Sequence, residues 1–95
     1  MQNIILHVTY TCLPGKAEDF VAALKESGLQ ATVRAEDGCL QYDSHLSCEE
    51  KDTVVLIERW RDAVALATHV AQPHMAQIAA MKEGRVSATK LERYE

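Results

Sequence analysis

Two kinds of hydrophobic periodicity follow each other along this chain, and their order limits the folds that it can adopt. From Ile4 to Cys12 apolar and polar residues alternate with period two, which predicts a strand with one buried face. From Lys16 to about Ala35 the apolar residues recur at helical spacing, which predicts one helix. Gly28 costs this helix about 1 kcal/mol relative to alanine, so we expect another part of the chain to pack close to it.

The second half of the chain contains two predicted strands before its helical residues. Cys39 to Ser47 alternates, and Thr53 to Trp60 is apolar on both faces, so we expect both faces of the latter strand to be covered. The short link between the two strands makes them a hairpin. Asp62 is a suitable N-cap for a helix from Ala63 to about Ala71.

The end of the chain completes a recognisable order of elements. Pro73 suits the first turn of another helical segment, and Val86 to Tyr94 is predicted to be the last strand. The order β-α-β-β-α-β is the ferredoxin-like α+β pattern, with a four-stranded antiparallel sheet whose helices lie on one face. Ninety-five residues, 1–95, form a single domain. The uncovered face carries Ile5 and His7, and sheet-to-sheet packing in a homodimer would cover it.

Charge and composition exclude several classes of partner. The net charge of −4 is the wrong sign for binding phosphate backbones, so we expect no nucleic acid. The longest apolar run, residues 63–67, is far too short to span a bilayer, so we expect no membrane. The three cysteines are an odd number without a close pair, and no export signal precedes the first strand. These features predict free thiols and a cytoplasmic location.

Residue spacing gives no support for a bound cofactor. His69 and His74 are five residues apart with Pro73 between them, which is not the spacing that puts two metal ligands on one helix face. The cysteines contain no C-x-x-C pair, and the glycines are scattered singly rather than forming a phosphate loop. We therefore predict no metal and no cofactor.

Two neighbouring segments, residues 55–62 and 67–75, carry a more specific signature. It comprises a glutamate and a tryptophan two apart at a strand end, a histidine about nine residues later, and a Pro-His pair. With residues 14–16 and 36–42, this pattern resembles the antibiotic biosynthesis monooxygenase superfamily, in particular its small quinol monooxygenase-like members. The matches extend over residues 4–94. The resemblance implies a dimeric α/β-barrel, with a pocket between sheet and helices in each subunit.

The resemblance also implies an activity. Members of the family oxidise phenolic or hydroquinone-type compounds with O₂ and without flavin, haem or metal, so we expect a cofactor-independent monooxygenase acting on a small quinol or polyphenol. Such a substrate becomes a better reductant when deprotonated, so the protein need supply only a base, an apolar pocket and orientation. The haem-degrading branch is disfavoured, because its Asn, Trp and His positions fall near Val8, His69 and Ala79.

His69 and Glu58 are the candidate catalytic residues. An imidazole titrates near neutral pH, so His69 can accept a phenolic proton; alternatively, it is placed in the last turn of its helix only because the helix dipole favours it there. Glu58 lies in an otherwise apolar strand and would orient the site. The alternative for Glu58 is a structural ion pair with an arginine such as Arg61.

Four further residues are candidates for binding the substrate: Trp60, Tyr42, His74 and Met75. Trp60 shares a strand face with Glu58 and can wall an aromatic pocket, although a plain core role is open. Tyr42 could hydrogen-bond a quinol oxygen, or simply belong to the core. His74 follows a proline at a helix start, where a solvated surface position is the alternative.

Two other functions remain open at this point. The first is an isomerase acting on a small oxygenated carbonyl compound, which would use His69 for proton transfer without O₂. The second is a dimer that binds an aromatic ligand without turnover, since a fold alone does not fix the function.

Overall fold

The computed structural model describes residues 3–95 and confirms the ferredoxin-like α+β prediction. The strands are β1 (Ile4–Cys12), β2 (Cys39–Leu46), β3 (Thr53–Trp60) and β4 (Val86–Tyr94). The helices are α1 (Ala17–Glu26), α2 (Leu29–Arg34), α3 (Ala63–Val70) and α4 (Met75–Lys82).

The four strands form one antiparallel sheet in the order β2-β3-β1-β4. The central strand β1 pairs with β3, with Ile4 opposite Trp60, and with β4, with Ile5 opposite Tyr94. The alternation predicted for β1 is confirmed, because the residues of the even-numbered positions from Ile4 to Cys12 are all buried. These side chains form the floor of a core that lies between the sheet and the helices.

The helical segment between β1 and β2 differs from the prediction. A single helix over residues 16–35 is wrong, because the chain breaks at Gly28, whose φ of 83° is left-handed and cannot continue an α-helix. The predicted close packing at Gly28 is also wrong, since a Cβ added there would meet nothing within 4 Å. Close approach occurs instead at Gly38, with φ +86°, where an added Cβ would overlap the Cβ of Ala65.

The start of α3 is fixed by the residue that the sequence indicates. The carboxylate of Asp62 accepts a hydrogen bond from the backbone N–H of Ala65 at 2.8 Å, which caps the helix. The helix ends at Val70, and α4 begins only at Met75 rather than at Pro73. Residues 71–74 therefore form a turn between the two helices. Among the described residues, no helix is long and apolar enough to cross a membrane.

The two faces of β3 are covered unequally. Val54 and Leu56 are buried under the helices, whereas Val55 and Ile57 on the opposite face are only half-buried. Ile5 of the neighbouring strand is also half-buried on this outer face. The prediction that both faces of β3 are covered thus holds for one face within a single chain.

Candidate active site

The inward face of β3 and the last turn of α3 bring three of the predicted site residues together. Trp60 is fully buried, and its indole Nε1–H donates to the carboxylate Oε1 of Glu58 at 2.9 Å. The ring of His69 stacks on that of Trp60, with centroids 4.4 Å apart and an interplanar angle of 29°. Nε2 of His69 lies 3.9 Å from Oε1 of Glu58. Glu58, Trp60 and His69 therefore form one buried cluster.

Glu36 completes this cluster, although the sequence interpretation assigned it no role. Its Oε2 lies 2.8 Å from Nδ1 of His69 and 2.8 Å from Nε2 of His74, and its side chain is only 9% exposed. We call Glu36, His69 and His74 the histidine–glutamate triad. The available signal was its position at the start of residues 36–42, a stretch that matches the family.

Backbone contacts hold Glu36 in place. It lies in the turn between α2 and β2, where its carbonyl accepts from the N–H of Cys39 at 3.1 Å. The carbonyl of Gly38 accepts from the N–H of Arg61 at 2.8 Å, which fastens this turn to the end of β3. Because Gly38 has no side chain, α3 can pack directly against the turn through Ala65. The Glu36 carboxylate thereby reaches His69.

His74 is not the solvated surface residue that one interpretation of the sequence suggested. Its side chain is 14% exposed, and it is bound to Glu36. The turn after α3 returns the chain toward the site, with the N–H of Gln72 donating to the carbonyl of His69 at 3.0 Å. The five-residue spacing predicted that the two histidines would not lie together as metal ligands on one helix face, but this turn brings both rings to one carboxylate oxygen. The spacing argument against a metal site therefore fails for these residues.

The carboxyl group of Glu58 has an unusual electrostatic environment. Burial is the main influence and raises its pKa, while the indole N–H of Trp60 and the neighbouring His69 act in the opposite direction. The arginine partner that the sequence suggested is not found, because among residues 3–95 the ion-pair contact of Glu58 is to His69. A buried carboxyl group with a raised pKa beside an imidazole is a candidate functional group.

The remaining predicted residues lie around the cluster. Tyr42 is buried on β2, and its ring centroid is 6.2 Å from that of His69. Burial, together with the nearby Tyr10 and Glu58, raises the pKa of the Tyr42 hydroxyl, so Tyr42 stays neutral. Met75 begins α4 and packs, partly buried, against the core. Tyr42 thus borders the cluster, and Met75 packs against the core to which Trp60 belongs.

The arrangement can hold one imidazole nitrogen ready to accept a proton. When Nδ1 of His69 carries its hydrogen and donates it to Glu36, the lone pair of Nε2 is directed toward the side of Glu58. The Glu36 carboxylate then stabilises the imidazolium that forms when Nε2 of His69 is protonated. This is the geometry of a general base with an orienting partner.

One surface cavity reaches Glu36 of the cluster, and another reaches the neighbouring Tyr42. One of about 290 Å³ lies beside α3 and is lined by Glu36, Asp37, Val64, Ala65, Thr68 and Gln72. A second, of about 250 Å³, borders Tyr42 at the edge strand β2. The polar end of the cluster at Glu36 is therefore reachable from outside.

The comparisons with known proteins agree with this fold. Residues 3–81 match the model of the antibiotic biosynthesis monooxygenase family, so the chain belongs to that family. It is 31% identical over 85 residues to "Putative monooxygenase YcnE" of Bacillus subtilis (strain 168), a match that covers 90% of this chain and 87% of that protein.

Solved structures of similar chains give the same result. PA3566 from Pseudomonas aeruginosa has a TM-score of 0.85 and 33% identity, over 99% of this chain and 93% of that one. A Deinococcus radiodurans protein described as a "putative antibiotic biosynthesis monooxygenase" has a TM-score of 0.84 and 26% identity, over 97% and 90% of the two chains. The resemblance noted from the sequence is thus confirmed as family membership.

Proposed function

We propose that this chain is a monooxygenase that oxidises a small quinol or polyphenol with O₂, using no resident cofactor. The observation that carries the proposal is the contact of 2.8 Å between Glu36 and Nδ1 of His69, in a buried site that is walled by Trp60. Family membership and the monooxygenase names of relatives support the reaction class.

In the first step His69 removes a phenolic proton. Nε2 accepts the proton while Glu36 keeps Nδ1–H fixed, so Glu36 acts as a positioning residue. The stacked ring of Trp60 prevents the imidazole from tilting, and its own N–H is occupied by Glu58. Trp60 therefore acts as a wall of the site rather than as a donor to the substrate.

In the second step the deprotonated quinol reduces O₂ directly. An electron passes from the ring to O₂, the two radicals recombine in a new C–O bond at a ring carbon, and the O–O bond then breaks. One oxygen atom remains on the product, a hydroxyquinone, and the other leaves as water with protons that the quinol gave up. The substrate is itself the reductant, so the step needs no external electron donor.

The fold suggests how a substrate reaches the buried imidazole. Of the residues of α4, which all lie in the described part of the chain, Ile78 alone is buried. An element held by so little buried surface opens at lower cost than the sheet. In our proposal, α4 and the turn at residues 71–74 move aside to admit the quinol between Tyr42 and Met75.

The proposed enzyme is a homodimer. The outer face of the sheet carries half-buried apolar residues at its centre, Ile5, Val55 and Ile57, and no helix formed by residues 3–95 of one chain lies over them. A second copy packed sheet against sheet would cover this face, which fits the architecture that the resemblance implies. Such packing leaves the histidine–glutamate triad on the opposite, helical face of each subunit.

Oxygen uptake by chelator-treated protein tests the activity. A reduced quinol is mixed with the protein anaerobically and O₂ is then admitted. Uptake should exceed buffer autoxidation and fall about 100-fold or more in His69→Ala, since general bases contribute on this scale. Glu36→Gln should give an intermediate rate, and Cys48→Ser, which alters an exposed thiol between β2 and β3, should match the unmodified protein. Uptake no faster than autoxidation, or unchanged in His69→Ala, contradicts the proposal.

The same experiment separates the two alternative functions. Turnover of a carbonyl substrate in the anaerobic phase would indicate an isomerase. Saturable quenching of Trp60 fluorescence by an aromatic compound that is recovered unchanged would indicate a binding protein, since Trp60 is the single tryptophan and lies in the cluster.

A further inference from the structure

We propose that the histidine–glutamate triad is also a binding site for one divalent first-row transition ion such as Zn²⁺. The three ligand atoms are Oε2 of Glu36, Nδ1 of His69 and Nε2 of His74, and they lie within 4.8 Å of one another. Two imidazoles and one carboxylate are a ligand set that zinc uses when it keeps a further position open for water.

The geometry needs only small side-chain movements to hold an ion. Both imidazole nitrogens point at the same carboxylate oxygen, each at 2.8 Å. Bonds of about 2.1 Å in a tetrahedral site place the ligands roughly 3.4 Å apart. The carboxylate must therefore draw back slightly from each ring and the two rings must approach each other, which rotation about the side-chain bonds of Glu36 and His74 can provide.

The charge of the cluster favours a cation. The side chains of Glu36 and Glu58 are 9% and 8% exposed, and in residues 3–95 their ion-pair contacts are to imidazoles and not to lysine or arginine. Nearly buried carboxylates need a compensating positive charge. A divalent ion beside Glu36 would supply that charge.

The residues around the triad supply the outer support that metal sites require. A histidine that ligates a metal characteristically directs its other N–H to a carboxylate. Nε2 of His69 lies 3.9 Å from Oε1 of Glu58, which is longer than a hydrogen bond, and that carboxylate is fixed by Trp60. A small rotation of the imidazole on ion binding would bring an Nε2–H into hydrogen-bond distance of it. The cavity of about 290 Å³ beside Glu36 gives an ion a route from the surface.

Ion binding and base catalysis would both use the imidazole ring of His69, and they require its hydrogen on different nitrogens. An ion on Nδ1 of His69 displaces the hydrogen that Nδ1 donates to Glu36, and leaves the remaining ring hydrogen on Nε2. The metal form therefore lacks the basic nitrogen, and Zn²⁺ should inhibit oxygen uptake. Ion binding is measured on protein without quinol. The metal-site proposal can therefore fail while the oxygenase proposal holds, and the oxygenase proposal can fail while the metal-site proposal holds.

Calorimetric titration of the chelator-treated chain with Zn²⁺ tests the site. We expect saturable binding of one ion per chain, weakened at least tenfold in His74→Gln and in Glu36→Gln. The matched controls are His45→Gln and Cys48→Ser, which alter an exposed histidine and an exposed thiol and should bind as the unmodified chain does. Circular dichroism of each variant verifies that it is folded.

A second readout locates the ion. Trp60 is the single tryptophan and stacks on His69, so binding of paramagnetic Co²⁺ should quench its fluorescence with the same stoichiometry. The proposal is overturned if no saturable binding occurs, if either triad variant binds as tightly as the unmodified chain, or if a control variant loses the ion. Co²⁺ binding that leaves the fluorescence of Trp60 unchanged overturns it as well.

Discussion

At the scale of single residues, burial decides which groups near the site stay neutral. Tyr10 is 7% exposed, and its ring meets Phe20 edge-on with centroids 5.1 Å apart. Burial, and secondarily the charge of Glu58, raises the pKa of the Tyr10 hydroxyl from its ordinary value of 10.0 to about 12. A raised pKa means that the fold favours the neutral phenol. Its contribution to stability is therefore complete below pH 10 and is lost as the pH rises from 10 to 12.

Replacing Tyr10 by phenylalanine should remove this alkaline sensitivity. Between about pH 9 and pH 12 the unmodified chain should lose about 2–3 kcal/mol more unfolding free energy than Tyr10→Phe does. Urea unfolding at a series of pH values measures the difference. Tyr94→Phe is the comparison, because Tyr94 is 46% exposed and the pKa of its hydroxyl is raised mainly by the nearby Glu92 and less by burial, so it should change the profile less than Tyr10→Phe does. Parallel profiles for Tyr10→Phe and the unmodified chain would contradict the prediction.

Local pattern predicted part of the site and long-range contact determined the rest. Glu58 and Trp60 are two apart on a strand, so the sequence alone places them on one face, as the structure has them. The partners of Glu36 are 33 and 38 residues away along the chain, at His69 and His74. No periodicity connects such positions, and only the docking of a turn against α3 brings them together.

At the scale of elements, one glycine sets the distance between the turn that carries Glu36 and the helix that carries His69. Gly38 and Gly28 have nearly the same backbone conformation, with φ of +86° and +83°. They differ in surroundings, because a Cβ at Gly38 would overlap Ala65 whereas a Cβ at Gly28 would meet open space. The chain thus offers a matched pair of sites that separates backbone strain from steric overlap.

Alanine at these two glycines should have unequal effects. Gly28→Ala should cost about 1 kcal/mol of unfolding free energy, from the left-handed backbone alone. Gly38→Ala should cost about 3 kcal/mol, because overpacking against Ala65 adds to the same strain. Urea unfolding of both variants measures the two costs, and equal values would show that Ala65 does not press on the turn. Gly38→Ala should also slow oxygen uptake, since α3 must shift and His69 with it.

The bounds of most elements were predictable because their determinants are local. β3 and β4 occupy the predicted residues, and α3 begins where Asp62 can cap it. The break at Gly28 was missed because apolar residues continue at helical spacing on both sides of it. A glycine that costs a helix stability also permits a left-handed turn, and the spacing does not distinguish these roles.

At the scale of the whole molecule, the helices in residues 3–95 cover only one face of the sheet. Ile57 lies near the centre of the outer face, opposite His7 on β1 and Asp43 on β2. Apolar groups that are partly exposed at the centre of a sheet face are typical of a surface that a partner covers. The proposed second copy would bury this centre.

A lysine at Ile57 should therefore dissociate the proposed dimer. Sedimentation equilibrium should give twice the chain mass of 10.6 kDa for the unmodified protein and the chain mass itself for Ile57→Lys. Val64→Lys is the control, because Val64 is 74% exposed on α3, away from the sheet face. A monomeric unmodified protein, or an Ile57→Lys variant that stays dimeric, would contradict the proposal.

The cluster around His69 is divided between two kinds of support. Glu58 and Trp60 belong to a strand that is hydrogen-bonded on both sides, whereas His74 lies in the turn at residues 71–74. Lengthening or shortening that turn would reposition the His74 imidazole while the bond between Trp60 and Glu58 stayed intact. Divergence within such a scaffold can therefore proceed by insertion and deletion in one turn, which would alter the chemistry of the site and leave the folding of the sheet untouched.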